Sequence, residues 1–271
     1  MPARSHAMPF TFFAHQVVVL PLKCARPRWF DGTALCVGSM APDLGYALNG
    51  TPLAFSSHRI VAQLFWSLPI TLWLVAFIRD ALADPLGARL PAPLGPELRA
   101  LAVSRHGLGT TISSALLGAF SHIFVDGFTH THSWAARRFE FLRHVVFEVA
   151  GHHVTVAVLL QYTSHVLGTA LGVAMFVSLI GRGRISTWSG AHDCAGATQP
   201  NTPRFWAPLA ISFAVAPLAA LSAAATGGGL STAIIRAAWV VFAGLALCVR
   251  FATLAEAPVA QARSSSPAST E

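Results

Sequence analysis

Long apolar runs alternate along the chain with short polar stretches in which arginine, histidine and proline collect. Runs near 60–78, 107–125, 154–180, 206–226 and 231–254 reach the roughly 20 residues that a helix needs to cross a bilayer. They predict five membrane spans, formed as helices because lipid offers no partner to a free backbone N–H or C=O. Two shorter apolar stretches come first. Residues 9–22 run apolar to Pro21 but contain His15, and residues 33–48 are broken by Pro42 and Asp43. The second is too short and too polar to span, which predicts a buried or re-entrant segment. The fold class expected is all-α: a polytopic membrane bundle of five or six hydrophobic segments with a His/Asp pocket at one membrane face.

The polar stretches divide the chain. Residues 79–106, with Pro85, Pro91, Pro93 and Pro96, read as an exposed connection. The histidine-rich stretch 126–153 reads as a loop. The organisation expected is a membrane domain over 1–180 carrying the site, a polar loop over 181–205, two further spans over 206–254, and a Pro/Ala/Ser-rich tail over 255–271 that is disordered.

Composition agrees with this reading. Hydrophobic residues make up 54% of the chain and charged ones 11%, against roughly 25% charged in soluble domains. The net charge of +7 comes from arginines set singly or in pairs between the spans, where membrane anchoring uses them, so no nucleic-acid partner is expected. Cys24, Cys36, Cys194 and Cys248 form no CxxC pair and lie far apart, so neither a zinc ribbon nor a disulfide framework is indicated. No small-residue cleavage site follows the first apolar stretch, so it reads as part of the mature protein.

Candidate chemistry collects at the end of the second span. His122 and Asp126 stand four residues apart, on one helix face, where an imidazole and a carboxylate can grip one divalent cation. Gly127 and the following Thr129-His130-Thr131-His132 are expected to end that helix. His58 precedes the first span, and a chain that crosses and returns brings His58, His122 and Asp126 to the same face. His15 and Asp43 join them as candidates, with Ser56 and Ser57 placed to orient the His58 ring. Three imidazoles and two carboxylates suit zinc first, with manganese or iron as alternatives, and the absence of a thiolate argues against a purely structural zinc site.

His15, Gly38-Ser39-Met40-Ala41-Pro42-Asp43, Ser57-His58, Gly118-Ala119-Phe120-Ser121-His122 with Asp126, Thr129-His130, and Gln161 with Ser164 and Gly168 resemble an uncharacterised bacterial membrane family, domain-of-unknown-function family 4184. The resemblance also takes in Met8-Pro9-Phe10-Thr11 and covers roughly residues 8–180. That family is similar to inner-membrane metal-dependent hydrolases, and more distantly to zinc-dependent phospholipase C. The latter likeness implies a ligand series continuing from His15, Asp43, His58, His122 and Asp126 to His132 and then to His144 and Glu148 as an HxxxE pair. It implies hydrolysis of a phosphate ester through a metal-activated water. Asp43 and Glu148 are candidates for either metal ligand or general base, and the residues by themselves do not separate the two roles.

The function expected is thus a membrane-embedded metal-dependent hydrolase acting on a phosphate ester of a lipid or headgroup. The alternative is a non-enzymatic membrane protein whose cluster handles a cation or staples the bundle. The location expected is the inner membrane. Arginine and lysine outside the spans lean slightly toward the face away from the histidines, which would put the histidine face outside the cytoplasm, and clearly so only if the N-terminal segment crosses.

Overall fold

In the computed structural model the described residues are 12–191 and 199–264, with side chains described for 13–191 and 199–251. The Met8–Thr11 motif, His192 and Cys194, and residues 265–271 lie outside them.

Helix α1 (Phe12–Ala25) is followed by two short helices, α2 (Gly32–Gly38) and α3 (Ala41–Leu44), and a 3₁₀ turn over Gly45–Leu48. The first span is α4 (Ile60–Gly87), then come α5 (Leu94–Val103), the second span α6 (Leu108–Thr129) and α7 (Trp134–Arg138). A two-stranded hairpin, β1 (Val145–Val149) and β2 (His152–Thr155), leads into the third span α8 (Val156–Gly181). Then follow α9 (Arg184–Ser189), α10 (Pro203–Ala225) and α11 (Leu230–Ser264), whose apolar part ends at Phe251. The five spans fall where the apolar runs predict them, and the chain is a multi-pass helical membrane protein.

Local sequence explains several departures from regular helix. Within α4 the backbone widens to π geometry at Gln63–Ser67 and Ile78–Leu82, each just before a proline, Pro69 and Pro85. Proline lacks the N–H that would close the regular bond and crowds the preceding turn, so the ladder is displaced there. The expected 79–106 loop is correspondingly shorter, since α4 continues to Gly87 and α5 fills Leu94–Val103. Gly127 does not end α6, which runs on to Thr129. A Cβ at Gly127 would strike the Trp134 indole, so the glycine makes room for the chain folding back. The last helix continues to Ser264, into the segment expected to be disordered.

The residues 33–48 fold inside the bundle, as α2 and α3. Asp31 caps α2, accepting from the Ala34 N–H at 3.1 Å. α2 lies against α6, and the contact is closest at two glycines: a Cβ on Gly38 would run into the Ala115 carbonyl, and one on Gly118 into the Leu35 carbonyl. Thr111, Ser114, Ala115, Gly118, Ala119 and His122 form the buried face of α6 at helical spacing. Small residues at that spacing let two backbones meet where lipid supplies no hydrophobic drive for association. α1 packs on α8 in the same way, over Gly168 and Gly172.

α1 runs from the end of the bundle that holds the histidines to the opposite end. Lys23, near its C-terminus, donates to the Pro27 and Phe30 carbonyls at 2.7 and 2.8 Å and lies 3.4 Å from His106, just before α6 begins. Beside it Asp31 receives two hydrogen bonds from Arg79, at 2.7 and 3.0 Å, and one from Thr111 at 2.8 Å. Burial pushes the Asp31 carboxyl up, but the Arg79 guanidinium, the Ala34 N–H and the Thr111 hydroxyl outweigh it and hold it below the usual carboxylate range. Arg79 therefore sits inside a span rather than in a loop, and Lys23, Arg26 and Arg28 belong to the end away from the histidines.

Candidate metal centre

Four backbone segments bring the candidate side chains together. His15 comes from α1, Asp43 from α3, His58 from the loop before α4, and His122 and Asp126 from successive turns of α6. The i, i+4 pair meets as its spacing predicts, His122 Nε2 lying 3.2 Å from Asp126 Oδ2. His58 Nε2 lies 3.2 Å from His122 Nε2 and 3.4 Å from Asp126 Oδ2. Asp43 Oδ1 lies 3.3 Å from His58 Nε2 and 3.5 Å from His122 Nε2. The His15 ring stacks on His122 at 3.8 Å between centroids, with its Nε2 3.7 Å from Asp126 Oδ1. Among the described residues, His15, Asp43 and His122, and again His58, His122 and Asp126, are grouped closely enough to hold a metal ion.

The orientation of His122 follows from the glycine contact between α2 and α6. Its Nδ1 lies 2.7 Å from the Ser39 carbonyl oxygen, an acceptor only, so Nδ1 carries the proton and donates it. The neutral ring then turns a bare nitrogen toward Nε2 of His58 and the two carboxylates. His58 is held from behind by Ser57, whose Oγ is 3.2 Å from Nδ1, and by Tyr46, which stacks on the ring at 5.1 Å. Gln63, in the first π stretch, donates to the Ser57 and Arg59 carbonyls at 2.9 Å and fixes this loop.

Lone pairs pointed at one another repel, so this arrangement calls for positive charge at its centre. The surroundings of the residues outside the spans express that demand. Burial lowers the His58 pKa, yet Asp126 and Asp43 raise it further and the net shift is upward. Burial raises Asp43, while His122 and His58 in their protonated forms more than reverse it and hold the carboxyl below its ordinary range, so a proton or a metal ion would meet the same demand. The centre is open on one side: His122 is 0% exposed and His15 7%, whereas Asp43, Asp126 and His58 are 15%, 17% and 26% exposed.

Other candidates lie apart from the cluster. His132, His144 and Glu148 are all exposed. The HxxxE pair does not form a helical pair at all, because Glu148 lies in β1, which pairs antiparallel with β2 across a tight Ala150-Gly151 turn with both φ positive. In that register Glu148 faces His153 and forms an ion pair with it. His130 ties α6 to α8, with Nδ1 3.1 Å from the Asp126 carbonyl and Nε2 3.3 Å from the Gln161 amide. The Ser39 carbonyl and Tyr46 complete the site without any signal in their own residue types.

A family model described as "Domain of unknown function (DUF4184)" matches residues 8–255, reaching through the last two spans. No curated protein and no solved structure matches the chain.

Proposed function

The chain belongs to this domain-of-unknown-function family, and we propose that it is a membrane-embedded, divalent-metal-dependent hydrolase acting on a phosphate ester of a lipid or headgroup. The observation that carries the reading is the convergence on His122 Nε2, whose tautomer Ser39 fixes, of His58, Asp43 and Asp126 at 3.2–3.5 Å. Bonds of about 2.0–2.1 Å to a tetrahedral ion put neighbouring donors about 3.3 Å apart. Zinc fits such a nitrogen and oxygen set best, with manganese and iron as the alternatives.

Catalysis is favoured over a purely structural role by the donor chemistry and the opening. Among the described residues no thiolate joins the donor groups, and the partly exposed His58 side leaves room for a water or a substrate oxygen. A bound ion supplies Lewis-acid chemistry, polarising a phosphoryl oxygen and bringing the pKa of a water toward about 7. Of the two carboxylates considered as general base, Glu148 pairs with His153 on the exposed hairpin, and Asp43 is the one that stands in the site, beside the partly exposed His58. Ester headgroups are the substrates such a pocket meets first, because the donors sit at the ends of spans. A transporter would place its ionisable groups near the midplane.

For orientation, Arg26, Arg28, Arg99, Arg105, Arg182 and Arg184 gather at the end away from the cluster. The cluster end carries Arg59, Arg137, Arg138, Arg143 and Arg236, so the lean is slight. By the positive-inside rule this lean would face the first end to the cytoplasm and the metal face outward, in a bacterial inner membrane.

Metal content of the detergent-purified protein, measured by mass spectrometry beside His122→Ala and Asp126→Ala, tests the centre. Near-stoichiometric metal lost in both variants, with phosphate-ester turnover lost in Asp126→Asn, supports the proposal. A wild type that cannot be loaded with zinc, manganese or iron would falsify it, and a loaded wild type that turns over no ester reduces it to a structural metal site.

A further inference from the structure

Between α1, α2, α4, α8 and α11 lies a half-open cavity of about 440 Å³ with an almost wholly apolar lining. Its size is that of small-molecule pockets, about 300–1,000 Å³. One end is formed by Gln16, Met40 and Leu44, sequence neighbours of His15 and Asp43; the other is closed by Lys23 and Trp188. Gln16 and Lys23 are seven residues apart on one helix, so the space extends at least about 10 Å along the bundle. An apolar space of that length suits an extended chain better than a compact ligand.

The two ends differ in what they offer a polar group. At the far end the three Lys23 N–H bonds are engaged by Pro27, Phe30 and His106, so this lining cation is not free for an anionic headgroup. At the near end the Gln16 amide donates to the Met40 sulfur at 2.9 Å, while its Oε1 is buried with no partner. Gln16 is 5% exposed. A buried amide oxygen in an apolar wall costs free energy until a donor reaches it. From this polarity we propose that the cavity binds one long alkyl or prenyl chain of a membrane lipid, its tail toward Trp188 and a hydroxyl or amide donor hydrogen-bonded to Gln16, beside the metal centre. The inference rests on the cavity alone and stands whether or not the centre is catalytic.

Trp188 and Trp239 both line the cavity and report its contents. A long-chain fatty alcohol brominated at mid-chain should quench the fluorescence of the detergent-purified protein saturably, with one site per chain. Trp188→Phe with Trp239→Phe should remove the saturable part. Cys36→Phe and Ala238→Phe, which fill the cavity from opposite walls, should weaken binding about tenfold or more. Gln16→Leu should weaken the alcohol but not the corresponding brominated alkane. Chelated wild type should bind as well as the untreated protein, so this result is independent of the metal reading. Quenching that never saturates, or persists undiminished in folded filled variants, overturns the proposal. Should the filled variants not fold, the wild type still decides, because affinity that fails to rise with chain length is equally fatal.

Discussion

The His122 ring hangs from the backbone of Ser39, its Nδ1 2.7 Å from that carbonyl oxygen, and the two residues meet because glycines at 38 and 118 let α2 and α6 touch. Gly118→Ala should push the helices apart and loosen this bond. Loss of a partner behind a ligating histidine typically costs about 10–100-fold in metal affinity. Gly109→Ala, on the same helix with open space around it, should leave affinity unchanged. Titration of the chelated protein with zinc compares the two.

Removing metal should destabilise the fold. An ion that binds only the folded state stabilises it by about 2.7 kcal/mol at a free concentration one hundred times its Kd. Thermal unfolding in detergent should therefore shift downward with chelator and recover on reloading. The shift should vanish in Asp126→Ala, and a chelator effect of equal size in that variant would speak against the cluster as the site.

His144→Ala and Glu148→Gln should leave both metal content and any ester turnover at wild-type levels. These side chains are exposed, and Glu148 is spent on His153 across the hairpin. A loss of metal in either variant would mean that the hairpin closes over the centre.

At the opposite end, Asp31→Asn should cost about 3–5 kcal/mol, because it leaves the Arg79 guanidinium buried without its counter-ion. Metal content of the folded fraction should stay normal. The Asp31 pKa is depressed in the folded state, so its contribution is fully present above the unfolded carboxylate value, near 3.9, and is lost as pH falls through the folded value. Acid unfolding followed by circular dichroism should show the wild type losing its advantage over Asp31→Asn only below about pH 4. An advantage that already declines from pH 7 to 5 would point to another group.

Hydropathy alone was enough to locate the five spans, since the need to satisfy every backbone group in lipid acts on each run separately. The i, i+4 spacing likewise put His122 and Asp126 on one face, because helix geometry is local. The sequence also nominated His15, His58 and Asp43, but what local pattern could not supply was how these segments meet, or that His132 and His144 stay apart from them. Their meeting depends on contacts between segments far apart in the chain: Gly38 on Gly118, α1 on Gly168 and Gly172, and Gln63 holding the loop before α4. The HxxxE pattern was misleading for the same reason. An H-x-x-x-E string has helical meaning only if the segment is helical, and a two-residue turn at Ala150-Gly151 made it a strand. The course of α1 was also undecided by its own residues, because fourteen of them fall short of a full span. Only its docking, with Lys23 beside His106, shows that it runs from one end of the bundle to the other, carrying His15 to the cluster and its basic residues away from it.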